Sequence, residues 1–299
     1  MRALLLLAVA TALTGAAPPK KLMTPTDVVS AAPPGAWKAI PADDLLVVDL
    51  KNGGRVVVQL APAFTPVHVA NVQALARANY WADATVYRVQ DNYVAQWGNN
   101  DSEKPWPQGV TAKPPAEYWR SLTGLTITPL GSPDPYAPAA GFADGWPVSY
   151  NSTAGWAALA HCYGTVGVGR GLDPDTGTGG ELYAVIGHAP RHMDRNLAVV
   201  GRVVDGIDRL SSLPRGTEAL GFYKDKAQYV PITALRLASQ IAPAERPAFE
   251  YLDTSSQSFA DYLRIRANRN DDFYKQPAGG VDLCNVQVPV RRKTVGERG

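Results

Sequence analysis

Two runs rich in branched apolar residues, Leu45–Leu50 and Arg55–Leu60, face each other across Asn52-Gly53-Gly54. Such runs favour strands, and an Asn-Gly pair supplies the positive-φ positions of a tight turn. A chain with such a hairpin near its start is committed to antiparallel sheet. Thr65-Pro66 follows, a capping residue and a proline at a first helical position. Val69, Val72, Leu75 and Ala76 then recur at helical spacing. The next stretch, Val86 to Gly98, reads VYRVQDNYVAQWG: strand, short turn, strand. Hairpin, helix and hairpin in succession predict a mainly β, α+β fold built on antiparallel strands. The 27 glycines and 25 prolines agree, since they suit turns and loops better than a helical bundle.

Prolines from Pro105 to Pro147 punctuate the chain between Ser102 and about Ser152. They predict a long loop insertion carrying one or two small pieces of structure. Strand-like runs resume at Thr165–Gly169, Leu182–Ile186, Ala198–Val204 and Ile232–Ala238. After Pro243 the composition shifts, and Ser255–Arg269 reads as a helix with Phe259, Tyr262, Leu263 and Arg266 on one side. Residues 17–42, rich in Pro, Ala and Lys, read as a tether. The expected organisation is therefore 1–16 signal peptide, 17–42 linker, 43–241 main domain with an insertion at about 102–160, and 242–299 C-terminal extension.

The signal is read from Arg2, the apolar run Ala3–Ala10 and the small residues Thr14-Gly15-Ala16-Ala17, with cleavage after Ala16. The run is too short to span a bilayer. The mature chain is expected to be exported, periplasmic in a Gram-negative host, and without a membrane span. Cys162 and Cys284 admit one bridge to the C-terminal tail or two buried thiols, and the sequence leaves both open. Lys+Arg 29 against Asp+Glu 27 gives +2, so no large basic face points to nucleic acid, and a monomer is expected.

Several chemistries find no support. There is no Gly-x-Ser-x-Gly elbow and no His-Glu-x-x-His. His188 and His192 have the spacing of helical zinc ligands, but Pro190 lies between them and disfavours the helix. The stretch Asp173–Glu181 lacks the ligand spacing of a calcium loop and reads as a flexible Gly-rich loop. No metal, nucleophile or cofactor is expected.

The order Arg88, Tyr93, Gln96, Gly98 and Asp101 resembles the cyclophilin signature, with Trp97 and Asn99-Asn100 loosening its Gln-Gly-Gly-Asp. Leu45 to Leu60 looks like that family's first hairpin, and Pro66 to Leu75, with Asn71, like its first helix. Asp194 and the run Gly201–Asp208 are similar to the stretch leading into the family's Gly-Lys-Val-x-x-Gly-Met-Asp. The likeness spans roughly Asp43 to Ile241. It implies a closed eight-stranded antiparallel barrel capped by two helices, and prolyl isomerase activity on proline-containing polypeptides. It makes Arg88 the catalytic residue, Tyr93 and Val94 the lining of the proline pocket, and Gln96 a partner for the substrate backbone. Gly169 and Arg170 fall at the family's Ala-Asn on the rim, and Glu181 and Tyr183 at the pocket wall. His192 stands where many members have tryptophan, Met193 where they have leucine, and Leu197 where a pocket histidine is usual. The His192 replacement implies weak cyclosporin binding. Taken alone, Arg88 reads as a surface residue with a packed stem; the joint spacing is what assigns it a role. Two rival readings use the same barrel: a peptide-binding module without turnover, and an envelope scaffold with a vestigial pocket.

Overall fold

A computed structural model describes residues 22–51, 53–99 and 104–293. The expected signal peptide and Asp101 lie outside the described residues. In chain order the elements are α1 (Pro25–Ala31), β1 (Trp37–Ala39), β2 (Leu45–Leu50), β3 (Arg55–Leu60), α2 (Pro66–Arg77), β4 (Thr85–Val89) and β5 (Val94–Gly98). Next come β6 (Arg120–Ser121), β7 (Thr128–Pro129), β8 (Ala139–Ala143), β9 (Trp146–Asn151), β10 (Trp156–Leu159), β11 (Thr165–Val168) and β12 (Leu182–Val185). The chain ends with β13 (Val199–Asp205), α3 (Ile207–Ser211), β14 (Val230–Leu237), β15 (Phe249–Leu252), α4 (Gln257–Ala267) and β16 (Val290–Arg292).

Eight strands close into an antiparallel barrel in the order β11-β12-β5-β4-β14-β2-β3-β13. The β2–β3 hairpin pairs Leu46 with Val58 and Val48 with Val56, and Gly53 sits at φ +83° in its turn. Leu46, Val48, Val56, Val58 and Leu60 point into the barrel, where Val69, Val72 and Leu75 of α2 and Leu210 of α3 join them. The alternate residues Leu45, Val47 and Val57 face outward, yet they too are buried, against Ile40, Ile241 and Phe249. Burial on both faces explains why these strands read as continuous apolar runs rather than alternating ones.

Two expectations are corrected here. Residues 24–42 are not a tether. α1 packs on α4, β1 pairs with β15, and Val28 and Trp37 share a core with Leu252 and Phe259. The Pro- and Ala-rich composition concealed two apolar anchors whose partners lie more than two hundred residues away. The insertion is likewise more than a loop. It forms a five-stranded sheet in the order β6-β10-β9-β8-β7, with β8 and β9 paired from Ala139–Tyr150 to Ala143–Trp146. Prolines enter this sheet at Pro129 in the two-residue β7 at one edge and at Pro147 in β9.

The insertion is locked to the barrel. Ala61, Phe64 and Val199 of the barrel side meet Trp146, Val148 and Leu159 in one apolar cluster. Arg202 on β13 donates to Gln59 Oε1 (2.9 Å) and to the Gly145 carbonyl (2.8 Å), with its guanidinium 4.8 Å from the Trp146 ring centre. Thr65 precedes α2 as expected but does not cap it with its side chain; its hydroxyl donates to the Val199 carbonyl (2.9 Å). Glu117, from the insertion, takes over that task. Its carboxylate accepts from the N–H groups of Val67 (3.0 Å) and His68 (2.9 Å) and contacts His68 Nδ1 (2.7 Å). An anion at a helix N-terminus satisfies orphan donors and opposes the helix dipole.

Cys162 and Cys284 are joined in a disulfide that closes a sequence separation of 122 residues. A bridge over so long a loop removes much denatured-state entropy. Cys284→Ser is therefore expected to cost about 2–5 kcal/mol in chemical denaturation, and mass spectrometry of the unreduced protein should show no free thiol. Glu117→Ala should cost about 1–2 kcal/mol, the loss of a helix cap, read by the same denaturation.

Candidate active site

The site begins with one irregularity in β4. Its register with β5 pairs Val86 with Trp97 and Arg88 with Gln96, leaving Tyr87 as an extra, bulged residue. Regular alternation would send Tyr87 and Arg88 to opposite faces. A bulge puts two consecutive side chains on the same side, and both here reach Gln96. β12 then sets Tyr183 opposite Gln96 on the other flank of β5. Arg88, Gln96 and Tyr183 thus lie in a row across three strands, with the outer two roughly 9–10 Å apart at the backbone.

A directed hydrogen-bond chain fixes the polar half. Arg88 Nη1 donates to Gln96 Oε1 (2.9 Å), Gln96 Nε2 donates to the Tyr87 hydroxyl (2.5 Å), and that hydroxyl donates to Glu181 Oε2 (2.6 Å). The order leaves the Gln96 amide one orientation. Burial, and then the Glu181 carboxylate, push the Tyr87 hydroxyl well above the ordinary tyrosine range, so it stays a donor. Gly98 makes room for Glu181, because a Cβ there would stand 2.1 Å from its Oε2. Arg88 also donates from Nε to the Leu220 carbonyl (2.7 Å) and from Nη2 to Gln90 Oε1 (2.6 Å). Its guanidinium lies 5.5 Å from the centre of the Phe222 ring. Burial lowers the Arg88 pKa, but a guanidinium starts so far above working pH that it remains charged. Among the described residues, three of its five N–H groups are used, all on neutral oxygens, which leaves two.

The apolar half gathers most of the expected lining. Val94, Val185, Tyr183 and Met193 form one buried cluster, with Tyr93 and Leu197 packed on it. Tyr93 donates its hydroxyl to Met193 Sδ (2.8 Å), and His192 stacks on its ring at 6.2 Å and 7°. Gly169 lies beside Gln96, where a Cβ would be 3.2 Å from Nε2. Arg170, next to it, donates to the Asn196 carbonyl (3.1 Å) and the Gly171 carbonyl (2.8 Å). The Gly-rich loop beyond it is organised by Asp175, which accepts from the N–H groups of Gly171 (2.7 Å) and Gly177 (2.9 Å).

Four participants were not assigned to the site from sequence: Tyr87, Gln90, Leu220 and Phe222. A bulge gives no periodic signal, which hid Tyr87. Leu220 and Phe222 come from a loop more than a hundred residues downstream, where Phe222 bridges to Arg88 and Leu220 takes φ +60°. A half-open cavity of about 700 Å³, lined by residues of β13, α1, α4 and the segment 284–290, lies away from these residues.

The family model described as "Cyclophilin type peptidyl-prolyl cis-trans isomerase/CLD" matches residues 46–236. The chain therefore belongs to the cyclophilin-type peptidyl-prolyl cis-trans isomerase family. The crystal structure of the cyclophilin AquaCyp293 from Hirschia baltica superposes with TM-score 0.69 at 21% identity, covering 91% of this chain and 98% of its own. That likeness extends the shared fold beyond the barrel to the insertion and the terminal segments. A cyclophilin type isomerase of Cryptosporidium parvum overlaps 67% of this chain and 99% of its own, at TM-score 0.41 and 12% identity. No curated protein matches the chain.

Tyr87→Phe breaks the chain between Gln96 and Glu181. It is expected to lower kcat/KM for a prolyl peptide about tenfold, one hydrogen bond's worth of positioning, with little change in Tm.

Proposed function

We propose that the protein catalyses prolyl cis-trans isomerisation with Arg88 as the catalytic residue, and that its substrates are exported polypeptides during folding. Rotation about the peptide bond meets a barrier of roughly 18–20 kcal/mol because of C–N double-bond character. As the bond twists, resonance is lost and a lone pair develops on the prolyl nitrogen. The two N–H groups that Arg88 keeps free can donate to it, an interaction made only in the transition state. Tyr93, Val94, Tyr183, Met193 and Leu197 hold the ring, His192 backs Tyr93, Gln96 pins the flanking backbone, and Gly169, Arg170 and Glu181 form the rim. No bond is made or broken, so the reaction asks for no nucleophile.

The observation that carries this reading is the Arg88 guanidinium, fixed by three neutral oxygens beside an apolar basin. A carboxylate partner would have spent its charge. Export is supported by the Cys162–Cys284 bridge, which suits an oxidising compartment, and by the apolar run Ala3–Ala10.

A protease-coupled assay on an Ala-Pro-Phe peptide tests the proposal. Arg88→Ala, folded by circular dichroism, should lose about a hundredfold or more of kcat/KM, the scale of one lost transition-state donor. Equal rates in wild type and variant would remove Arg88 from the mechanism. Peptide binding without turnover in wild type would leave a peptide-binding module instead.

A further inference from the structure

His161 is fully buried, lies between β10 and β11, and takes no part in the chemistry above. Its Nε2 is 2.9 Å from the hydroxyl of Tyr183, the pocket-wall residue, and the two rings stack at 6.2 Å and 13°. Its Nδ1 is 3.0 Å from Asp194 Oδ1, which also accepts its backbone N–H at 2.8 Å. Asp194 Oδ2 accepts from Arg191 Nε at 2.5 Å. Arg191 Nη2 continues to Asp134 Oδ2 (2.8 Å) and Ser149 Oγ (2.7 Å), both in the insertion. Every side chain in this line is buried: Arg191 and Ser149 are 3% and 2% exposed, and the side chain of Asp134 is 1% exposed.

The chemistry gives the line a direction. Asp194, ion-paired with Arg191, is an acceptor only, so His161 carries its proton on Nδ1 and turns Nε2 to the Tyr183 hydroxyl. A buried hydroxyl without a partner costs about 1–3 kcal/mol, so the bond holds the ring strongly. Burial raises the Tyr183 hydroxyl well above the ordinary tyrosine range, so it is protonated at any working pH. Gly167 supplies the space, since a Cβ there would stand 2.2 Å from the Tyr183 oxygen. A phenyl ring at 183 would lack this anchor. Glycine below, hydroxyl in the middle and histidine beyond form a matched set.

We propose that His161 is a positioning residue for the proline pocket: through Tyr183 it fixes the pocket wall, and through Asp194 and Arg191 it couples that wall to the inserted sheet. This rests on the isomerase reading above. The inserted sheet then acts on substrate binding through Asp134 and Ser149, by way of Arg191. A wall that contacts the ring equally in the ground and transition states affects KM rather than kcat.

The test measures kcat and KM on the Ala-Pro-Phe peptide for wild type, His161→Phe, His161→Gln, Tyr183→Phe and the double variant His161→Phe/Tyr183→Phe. Each single removal of the bond should raise KM about tenfold, the loss of one buried hydrogen bond, with kcat within about twofold. The double variant should be no worse than either single one, because both cut the same link. His161→Gln, whose amide oxygen can accept from Tyr183, should recover much of the KM. Unchanged KM in folded His161→Phe, additive losses, or a glutamine variant no better than phenylalanine would overturn the proposal. If His161→Phe fails to fold, an unchanged KM in Tyr183→Phe overturns it alone. If wild type shows no turnover, the isomerase reading falls, and the same series is read by calorimetric Kd for the peptide, where equal affinities overturn the positioning role.

Discussion

Barrel closure holds each strand between two neighbours, and this makes a single inserted residue in β4 consequential. With β5 on one side and β14 on the other, β4 cannot slip to absorb Tyr87. The extra residue is instead accommodated as a bulge, and the bulge turns Tyr87 and Arg88 to the same face. Everything polar in the site follows from that. Gln96 can bridge the two only because both arrive on its side, and Glu181 can receive Tyr87 only because Gly98 leaves a gap above β5.

The same economy governs the parts outside the barrel. Three segments far apart in sequence, the N-terminal helix and strand, the inserted sheet and the C-terminal helix and tail, are brought together. α1 and α4 share a core with Leu130 and Phe142 of the insertion, and the Cys162–Cys284 bridge crosses the same region. None of these pieces could bury its apolar face alone. In return the insertion supports the barrel. Glu117 caps α2, and the Gly145 carbonyl receives Arg202. The buried line from Asp134 through Arg191, Asp194 and His161 ends on the hydroxyl of Tyr183. Accessory region and pocket are therefore one mechanical unit.

Two electrostatic environments flank the row Arg88, Gln96 and Tyr183. On the Arg88 side, neutral acceptors hold a cation without cancelling it. Beneath Tyr183, a guanidinium is flanked by two carboxylates, so that burial is compensated by short charge-assisted bonds. The first arrangement leaves the cation without an anionic partner among the described residues. The second commits its charges to structure, which is what a fixed wall requires.

The barrel elements were legible in the sequence, and so was the set of side chains that gather beside Arg88. Strand runs such as Leu45–Leu50, the turn at Gly53, the periodicity of α2 and the order Arg88, Tyr93, Gln96 are local patterns, set by backbone propensity and side-chain period. The lining residues Tyr93, Val94, Tyr183, Met193 and Leu197, predicted from the family resemblance, do meet in one cluster. The remaining features are relations that no local period encodes. The bulge at Tyr87 depends on closure of the sheet around it. Leu220 and Phe222 reach Arg88 across more than a hundred residues. Val28 and Trp37, in a stretch that reads as a tether, find their core only once α4 and the insertion are in place. His161, a lone histidine in sequence, meets Tyr183 because folding stacks the two rings, with Gly167 leaving room for the hydroxyl. In each case the deciding energy is that of burying a polar group with its partner or an apolar one with its neighbours, and those partners exist only in three dimensions.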